Sequence, residues 1–305
     1  MTAAASSFRF SSRRDRKRLA TGLLFISPWI LGFIVFRVYP FLASLYYSFT
    51  FYPVLRSPRW LGWDNYVNLF DDPRFLTSLW NSTYYALGAV PLGTLFGILL
   101  AMLLNMRVRG LSAFRTIFFL PSITPIVAAA IVWLWMFNPR SGVVNYLLSF
   151  VGINGPAWLG DPQWAKAALI LMSVWSVGNA VVIYLAALQD VPRELLEASS
   201  LDGANTVQKI WNITLPMISP VILFNVIVGL IAAFQFFTQV HVMTDGRGSP
   251  ADSTLMMSIY LYQSAFEFFK MGYASAQAWI LFLIIVVFTM VLFRVSGRLV
   301  YYGGR

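Results

Sequence analysis

The sequence predicts an all-α, polytopic membrane protein with about six transmembrane helices, and two observations support this fold class. Apolar residues make up 58% of the 305 residues and charged residues only 11%, whereas soluble proteins carry about 25% charged residues. The apolar residues are also collected into long runs. Because a helix needs about 20 mostly apolar residues to cross the hydrocarbon core, these runs exclude an ordinary soluble domain.

Six apolar runs have the length of a membrane span. We predict helices, in chain order, at 19–39, 83–104, 117–137, 167–188, 218–240 and 278–293, the last continuing to about Leu299. The first run contains Pro28 and Trp29 and has no small-residue cleavage site close behind it, so we expect a retained helix rather than a signal peptide. The apolar stretch 143–151 predicts a short helix along the outer interface.

The net charge of +10 is concentrated near alternate membrane boundaries. Residues 1–18 carry six basic residues against one acidic residue. Further basic residues follow spans two and six, namely Arg107, Arg109, Arg115, Arg294, Arg298 and Arg305. This is the positive-inside pattern, which predicts that both termini are cytoplasmic. The basic excess therefore reflects topology and contact with membrane lipid, and it does not indicate nucleic-acid binding.

The predicted organisation is a basic N-terminal segment 1–18, one membrane domain 19–300 and a cytoplasmic tail 301–305. Two of its connections are long, the cytoplasmic loop 190–216 and the outer loop 241–276. The chain has no cysteine and one histidine, His241, so we expect no metal site. We expect His241 to be an interfacial or loop residue. The phosphate-binding pattern GxxxxGK[ST] is absent from the sequence, and no constellation of nucleophile, base and acid supports an enzyme.

Charged residues are almost absent from the predicted spans. None of the twelve acidic residues lies inside a span, which argues against a proton- or sodium-coupled secondary transporter. Arg37 lies near the end of the first span. We expect its long side chain to reach the outer interface, and the alternative is that it lines a polar path.

The cytoplasmic loop 190–216 predicts two short helices at a sharp angle. Pro192 suits the first turn of a helix, and Asp202-Gly203 suits its end because glycine accepts left-handed geometry. We expect this first helix to bury Leu195, Leu196 and Leu201.

A second helix is predicted over 206–213, with Val207, Ile210 and Trp211 on one side, and Pro216 is expected to end it before span five. The loop carries two basic and four acidic residues, so we expect it to dock on a basic partner.

A spacing pattern in this loop resembles a known signature. Glu197-Ala198-Ser199 is followed after three residues by Gly203, and then after nine by Ile213-Thr214-Leu215-Pro216. The pattern is similar to the Glu-Ala-Ala…Gly…Ile-x-Leu-Pro motif of binding-protein-dependent ABC importer permeases. Ser199 replaces the second alanine, which is an exchange of one small residue for another.

The resemblance extends to the carbohydrate-type branch of these permeases, which includes maltose, lactose and glycerol-phosphate permeases. Tyr39-Pro40 followed by Ser48-Phe49-Thr50 resembles its first span, and the segment 244–250 resembles its Thr-x-Gly-Gly-Pro outer turn. The C-terminal residues 301–305 lack the glycine- and lysine-bearing tail of the second permease type. The resemblance therefore implies the first permease subunit of a heterodimer, with the type I ABC importer fold.

The resemblance also implies partners in a prokaryotic cytoplasmic membrane. They are a second permease subunit, an ATP-binding cassette ATPase dimer that binds ATP and Mg, and an extracellular or periplasmic solute-binding protein. The chain itself would bind no cofactor and catalyse no reaction. The implied ATPase-coupling residues are Glu197, Ala198, Ser199, Gly203, Ile213, Leu215 and Pro216. Glu197 would pair with a basic residue of the ATPase, Gly203 would form the bend, and Gly246, Gly248 and Pro250 would contact the binding protein.

A sugar path needs aromatic faces and hydrogen-bonding groups inside the spans. The candidate path residues in spans four and five are Trp175, Asn179, Asn225, Phe234, Gln235 and Gln239. The alternative is that these polar groups mediate helix packing in the bilayer. For the whole protein, the alternatives are the same machinery for a polyamine or phosphate ester, or a transporter or channel that works alone.

Overall fold

The computed structural model describes residues 13–106 and 109–300, most of them helical. The helices are α1 (Arg13–Phe33), α2 (Tyr39–Ser48), α3 (Asp64–Phe70), α4 (Pro73–Leu104), α5 (Leu111–Ile123), α6 (Ile126–Met136), α7 (Val143–Ser149), α8 (Pro162–Trp175), α9 (Gly178–Gln189), α10 (Arg193–Leu201), α11 (Thr206–Lys209), α12 (Leu215–Phe234), α13 (Thr238–Met243), α14 (Met257–Tyr262) and α15 (Met271–Leu299). The predictions for residues 1–12, Arg107 and the tail 301–305 lie outside the described residues.

Short elements complete the chain. π-Helical turns at Ile34–Val38, Ile210–Thr214 and Gln263–Glu267 connect α1 to α2, connect α11 to α12 and extend α14. The strands β1 (Thr50–Phe51) and β2 (Arg59–Trp60) form an antiparallel hairpin that pairs Thr50 with Trp60.

The number of spans agrees with the prediction of about six. Four described helical stretches are long and apolar enough to cross a membrane, Arg16–Ser48, Pro73–Leu104, Thr206–Phe234 and Met271–Gly297. Two bent helix pairs, α5 with α6 and α8 with α9, satisfy the same test together, which gives up to six spans. The short helix expected over 143–151 is present as α7.

The prediction of one continuous third span over 117–137 is wrong. The axes of α5 and α6 meet at 102°. Pro125 lacks an N–H group, and its ring disfavours helical geometry in the preceding residue. Accordingly, Thr124 is extended, with φ −65° and ψ 131°. The two halves of this run therefore point in different directions.

The fourth predicted span, 167–188, is also bent, by 47° between α8 and α9. The helix is interrupted at Ser176, where φ is −94° and ψ is 17°. Immediately after the break, Gly178 approaches α5 so closely that an added Cβ would lie 3.0 Å from the carbonyl oxygen of Phe118. A side chain at this position would hold α9 away from α5.

The ends of three other spans differ from the prediction. The first helical stretch does not end near Tyr39, because the π-helical turn carries it on to Ser48. Arg37 therefore lies inside this stretch, and its side chain is exposed. The fifth span ends at Phe234, before the predicted end at residue 240. The last helix begins at Met271 rather than at residue 278 and extends to Leu299 as expected.

Pro216 does not end a helix before span five, contrary to the prediction. Residues Thr206–Phe234 form one uninterrupted helical stretch. Proline lacks a donor and clashes with the carbonyl four residues earlier, and the wider π-helical turn Ile210–Thr214 immediately precedes α12. Pro216 lies in the first turn of α12, where proline is tolerated.

Side chains are buried in two clusters at opposite ends of α4. One lies near the start of α4 and includes Phe75, Tyr85 and Leu255. The other lies near the end of α4 and includes Leu104 and Tyr184. The end of the molecule near the start of α4 carries β1 and β2, and we call it the sheet end. The opposite end carries α10 and α11, and we call it the hairpin end.

Candidate functional site

The first candidate site is the α10–α11 hairpin (residues 190–216). α10 follows Pro192 and ends at Leu201, and Gly203, two residues further on, has a left-handed φ of +80°. Beyond the helix, the N–H of Ala204 donates to the carbonyl of Ser199 at 2.9 Å, and the N–H of Gly203 donates to Ser200 at 3.2 Å. This is the Schellman arrangement, which suits glycine. The predicted end of the first helix at Asp202-Gly203 is confirmed.

α11 begins with a capping box that the sequence analysis missed, although Asn-x-x-Gln was visible. The N–H of Gln208 donates to Asn205 Oδ1 at 2.9 Å, and the N–H of Asn205 donates to Gln208 Oε1 at 2.8 Å. Lys209 Nζ donates to Ser200 Oγ at 2.7 Å, which links the two short helices. The hairpin therefore derives its shape from bonds between near neighbours in sequence.

The expectation that α10 buries three leucines is wrong for two of them. Leu201 is 91% exposed and Leu195 is 45% exposed, and only Leu196 is half-buried. No described element of this chain covers that face of α10. Glu197 and Ala198 are exposed beside Leu201. The hairpin thus presents a carboxylate and a large apolar side chain to its surroundings.

The other side of the hairpin is joined to the spans. Leu196, Ile213 and Leu215 pack against the buried cluster at the hairpin end, which contains residues of α4, α9 and α12. Ser199 Oγ donates to the carbonyl of Leu196 at 2.9 Å. A displacement of the hairpin would therefore reach three spans through packed side chains.

The second candidate site is a cavity of about 450 Å³ between α4, α6, α8, α9 and α12 and the chain that follows α12. The ring of Tyr85 stacks on that of Phe236, with centroids 4.3 Å apart. The polar residues that line this cavity are Tyr85, Thr94, Ser173, Ser176, Tyr184, Asn225, Gln235, Thr238 and Gln239. None of the described residues that line it carries a charge.

Three predicted path residues line this cavity, namely Asn225, Gln235 and Gln239. Asn225 donates from Nδ2 to the carbonyl of Val221 in its own helix at 2.9 Å. This bond lies within α12, so the alternative in which such polar groups mediate helix packing stays open.

The other three predicted path residues, Trp175, Asn179 and Phe234, do not line the cavity. Phe234 is 1% exposed and packs on Phe288, with ring centroids 5.4 Å apart. Trp175 lies 6.0 Å from the ring of Trp133. Asn179 follows the bend between α8 and α9, and its side chain is exposed outside this cavity.

Hydroxyl side chains that the sequence analysis did not select complete the lining. Those that lie on α4, α8 and α9 are Tyr85, Thr94, Ser173 and Tyr184. Their signal in the sequence was the presence of a hydroxyl group within an apolar run. Because many such groups occur in spans, only the packing of α4 against α8 and α9 separates these four from the rest.

The turn 244–250 lies at the sheet end. Gly246 and Gly248 have φ of +66° and +71°, and both are buried. An added Cβ on Gly246 would lie 2.6 Å from the ring of His241, and one on Gly248 would lie 2.7 Å from Leu255 Cβ. These glycines therefore shape the turn. Contact of Gly246, Gly248 and half-buried Pro250 with a binding protein stays a prediction.

His241 does not lie in a loop. It belongs to the short helix α13, and its ring stacks against Phe237 with centroids 5.0 Å apart. The ring of Tyr262 meets it edge-on at 5.3 Å. The outer loop predicted over 241–276 is thus largely structured, since it also contains α14 and the start of α15.

Charged side chains hold the segment after this turn on α4. Arg74 donates to both carboxylate oxygens of Asp252 at 3.2 Å. Asn81 donates from Nδ2 to the carbonyls of Asp252 at 2.8 Å and Leu255 at 3.1 Å, and its Oδ1 accepts from Lys166 at 3.0 Å. The start of α4 and the segment 252–255 therefore form one unit.

Asp72 is the carboxylate next to this unit, and it accepts hydrogen bonds from the hydroxyls of Tyr260 and Tyr273. Burial by itself would raise the pKa of Asp72, but these bonds and the N–H groups of Arg74 and Phe75 outweigh it and lower the pKa. Burial, together with the hydrogen bond to Asp72, raises the pKa of Tyr260 to about 12.

Comparison with known proteins relates this architecture to a family. Residues 93–301 match the family described as binding-protein-dependent transport system inner membrane component. The chain is 43% identical to the probable ABC transporter permease protein YesP of Bacillus subtilis (strain 168) over 96% of both chains. It is 37% identical to the lactose transport system permease protein LacF of Rhizobium radiobacter, over 93% of this chain and 97% of that one.

A solved structure has a similar fold. It is a chain in the crystal structure of a bacterial alginate ABC transporter in complex with an alginate pentasaccharide-bound periplasmic protein. The TM-score is 0.81 and the sequence identity 25%, over 93% of this chain and 96% of that one.

Proposed function

The chain belongs to the family of binding-protein-dependent transport system inner membrane components, and from this premise we propose that it is the permease subunit of an ATP-driven sugar importer. The observation that carries the proposal is the α10–α11 hairpin, which exposes Glu197 and Leu201 on one side and packs against three spans on the other. The similar lactose permease protein supports a sugar as the solute.

We place the hairpin end in the cytoplasm and the sheet end outside. The described basic residues 13–14 and 16–18 lie at the start of the first helical stretch, and Arg109 and Arg115 lie beside the end of α4. Arg115 donates to the carbonyl of Leu104 at 3.3 Å, so this cluster shares the hairpin end. Positive charge favours the cytoplasmic side. Both chain termini then lie in the cytoplasm.

In this arrangement the hairpin docks on a separate ATPase dimer, which binds ATP and Mg, and this chain performs no hydrolysis. Leu201 fills an apolar pocket of the ATPase and Glu197 pairs with a basic residue at its edge. Leu196, Ile213 and Leu215 pass the displacement to the spans. The nucleotide selects between two states of the path because the ATPase binds the hairpin differently in each. The ATPase-coupling residues named from the sequence, from Glu197 to Pro216, keep this proposed role.

The cavity lined by Tyr85, Asn225 and Gln239 is the proposed contribution of this subunit to the solute path. Hydroxyl and amide groups beside aromatic faces suit a hydroxyl-rich solute. The lining offers no carboxylate to pair with a polyamine, which favours a sugar over that alternative. A second permease subunit supplies the other half of the path, and a solute-binding protein delivers the sugar at the sheet end.

The coupling role is tested by E197R combined with G203D. The double variant reverses the exposed charge at residue 197. It also replaces a left-handed glycine at which an added Cβ would have no neighbouring atom within 4 Å. We expect sugar uptake and co-purification of the ATPase to fall at least tenfold at unchanged membrane content. D64R, at the exposed start of α3, is the matched control. If the double variant kept both sugar uptake and co-purification of the ATPase, the coupling role of the hairpin would be wrong.

The sidedness is tested by cysteine labelling, since the natural chain has no cysteine. In intact cells, a membrane-impermeant maleimide should label D64C at the sheet end and leave E197C unlabelled until the membrane is permeabilised. Labelling of E197C from outside would put the hairpin beyond the reach of a cytoplasmic ATPase.

A further inference from the structure

A cavity of about 730 Å³ lies at the sheet end, between the β1–β2 hairpin and the connection from α14 to α15. It has no lining residue in common with the cavity of the proposed path. Its volume lies in the range of small-molecule sites. The side chains that define its chemistry are those of Tyr52, Arg56, Asn68, Ser264, Phe269 and Lys270.

The walls of this cavity are held by contacts within the chain. The β1–β2 hairpin lies directly on the start of α15, where an added Cβ on Gly272 would be 2.0 Å from the carbonyl oxygen of Thr50. The N–H of Gly272 donates to the carbonyl of Tyr52 at 3.3 Å. Buried Asn65 donates to the carbonyls of Ser48 and Thr50, each at 2.9 Å. The cavity is therefore preformed.

Two cations at the cavity have no anionic partner among the residues that the structure describes. Among the residues that the structure describes, Arg74 with Asp252 is the only ion pair within 4.0 Å, so Arg56 and Lys270 are unpaired. Asp72 is the one carboxylate in the lining, and the hydroxyls of Tyr260 and Tyr273 already occupy it. The local charge therefore favours an anionic ligand.

One turn presents aromatic rings to the same cavity. The N–H of Phe268 donates to Gln263 at 2.8 Å and that of Lys270 donates to Ser264 at 2.7 Å, which closes the turn around Phe269. Phe269 has φ of +54°, a left-handed geometry that is rare for a bulky residue and is often kept at functional sites. Its side chain nevertheless remains 51% exposed.

A buried hydroxyl group forms part of the wall. Ser264 is 1% exposed, and its Oγ has no hydrogen-bond partner among the described residues. A buried hydroxyl without a partner is costly unless something else satisfies it. A polar ligand in the cavity would supply that partner.

We propose that this cavity binds an acidic saccharide, that is, an oligosaccharide with a uronate or similar carboxylate group. The inference rests on the proposed sugar-importer function and names the solute class. Pyranose faces stack on Tyr52 and Phe269, and the guanidinium of Arg56 forms paired hydrogen bonds to the carboxylate. Lys270 adds charge, and Asn68 and Ser264 bind hydroxyl groups. The cavity then lies at the outer entrance and binds the solute before transport.

The test uses the full chain in phosphatidylcholine nanodiscs and isothermal titration with tri-galacturonate and with maltotriose, its neutral counterpart. We expect tri-galacturonate to bind at least tenfold more tightly than maltotriose. R56Q combined with K270Q should weaken tri-galacturonate binding at least tenfold. R59Q, which removes an exposed cation from the same β-hairpin outside the cavity lining, should not change it.

F269G separates binding from folding. Glycine accepts the left-handed geometry at this position, so the variant should unfold at the wild-type temperature or above it. It should nevertheless bind tri-galacturonate several-fold more weakly, because the stacking face is lost.

Four results would overturn the proposal. They are no tri-galacturonate binding by the wild type, equal binding of maltotriose, equal weakening by R59Q, and unchanged binding in R56Q/K270Q. If phosphatidylglycerol in the nanodisc displaced tri-galacturonate and R56Q/K270Q lost bound phosphatidylglycerol in native mass spectrometry, the cavity would be a lipid-headgroup site instead. Sugar uptake that survives these results while E197R/G203D abolishes it would leave the importer function standing.

Discussion

The sheet end and the α10–α11 hairpin are held together in different ways. At the sheet end, side chains far apart in sequence bind each other, as Arg74 binds Asp252 and Asn81 binds Leu255. In the hairpin, the hydrogen bonds of the caps join residues only a few positions apart, and Leu201 is 91% exposed. The chain thus joins distant segments at the sheet end through its own side chains, whereas no described residue covers Leu201 of the hairpin.

The largest expected loss of stability is that of G272A, which we compare with G203A. G272A places a Cβ 2.0 Å from the carbonyl oxygen of Thr50, whereas Gly203 has open space around its Cβ position. We expect G272A to cost about 3 kcal/mol by overpacking against backbone. G203A should cost about 1 kcal/mol for its left-handed geometry. Thermal unfolding in detergent measures both, and equal costs would contradict the contrast between the two ends.

The next effect concerns Arg74, which pairs with Asp252 and lies over the ring of Tyr260 at 5.2 Å. R74M should cost about 1.5 kcal/mol through its charge-assisted hydrogen bonds. Because the two side chains of the ion pair are 39% and 37% exposed, a double-mutant cycle with D252N should give a coupling of only about 0.5–1 kcal/mol. R59M, at an exposed strand position, is the control. A coupling of zero would show that the pair does not hold the segment.

A smaller effect depends on pH. The folded-state pKa of Asp72 lies below its ordinary value of 3.8. Its ionised form therefore stabilises the fold above that value, and the contribution is lost as the pH falls through the folded pKa. D72N keeps an acceptor for the helix cap but does not titrate. We expect it to cost about 1 kcal/mol near neutral pH and to approach the wild type in acid. Unfolding temperatures across this pH range measure the convergence, with D64N, at an exposed residue of α3, as the control for the loss of one carboxylate.

The smallest expected effect on stability is that of L201A, at most about 0.5 kcal/mol, because the side chain is 91% exposed. L55A, at a side chain 86% exposed at the sheet end, should be equally mild. The two variants should differ in association, since only L201A removes a proposed anchor and lowers co-purification of the ATPase. Equal co-purification would mean that the hairpin does not dock through this leucine.

Several structural elements could be predicted from the sequence because they depend only on neighbouring residues. A span needs a long apolar run whatever surrounds it, so the helices around 83–104 and 278–299 were found. The end of α10 was found because Gly203 accepts a backbone geometry that other residues resist. The Pro125 break carried a local signal too, although proline indicates an interruption and does not by itself specify a 102° angle.

The lining of the cavity that we propose as the solute path was only partly predictable from the sequence. Asn225, Gln235 and Gln239 were found from one face of span five and the chain just after it, but Tyr85 and Tyr184 come from helices far away in sequence. Conversely, Trp175 was chosen for its chemistry and faces Trp133 instead. The direction in which a side chain points depends on the tilt and bend of its helix and on its neighbours, which no single run encodes.

By itself, the sequence determined that the protein crosses a membrane, the approximate positions of its spans and which loop bears the Glu197-to-Pro216 pattern, since run length and turn chemistry act over a few neighbouring residues. Only the tertiary structure decided that Pro216 stays inside a continuous helical stretch, that Leu201 is left uncovered and that Arg56 and Lys270 share a cavity. These features depend on how segments far apart along the chain fill or leave space around one another.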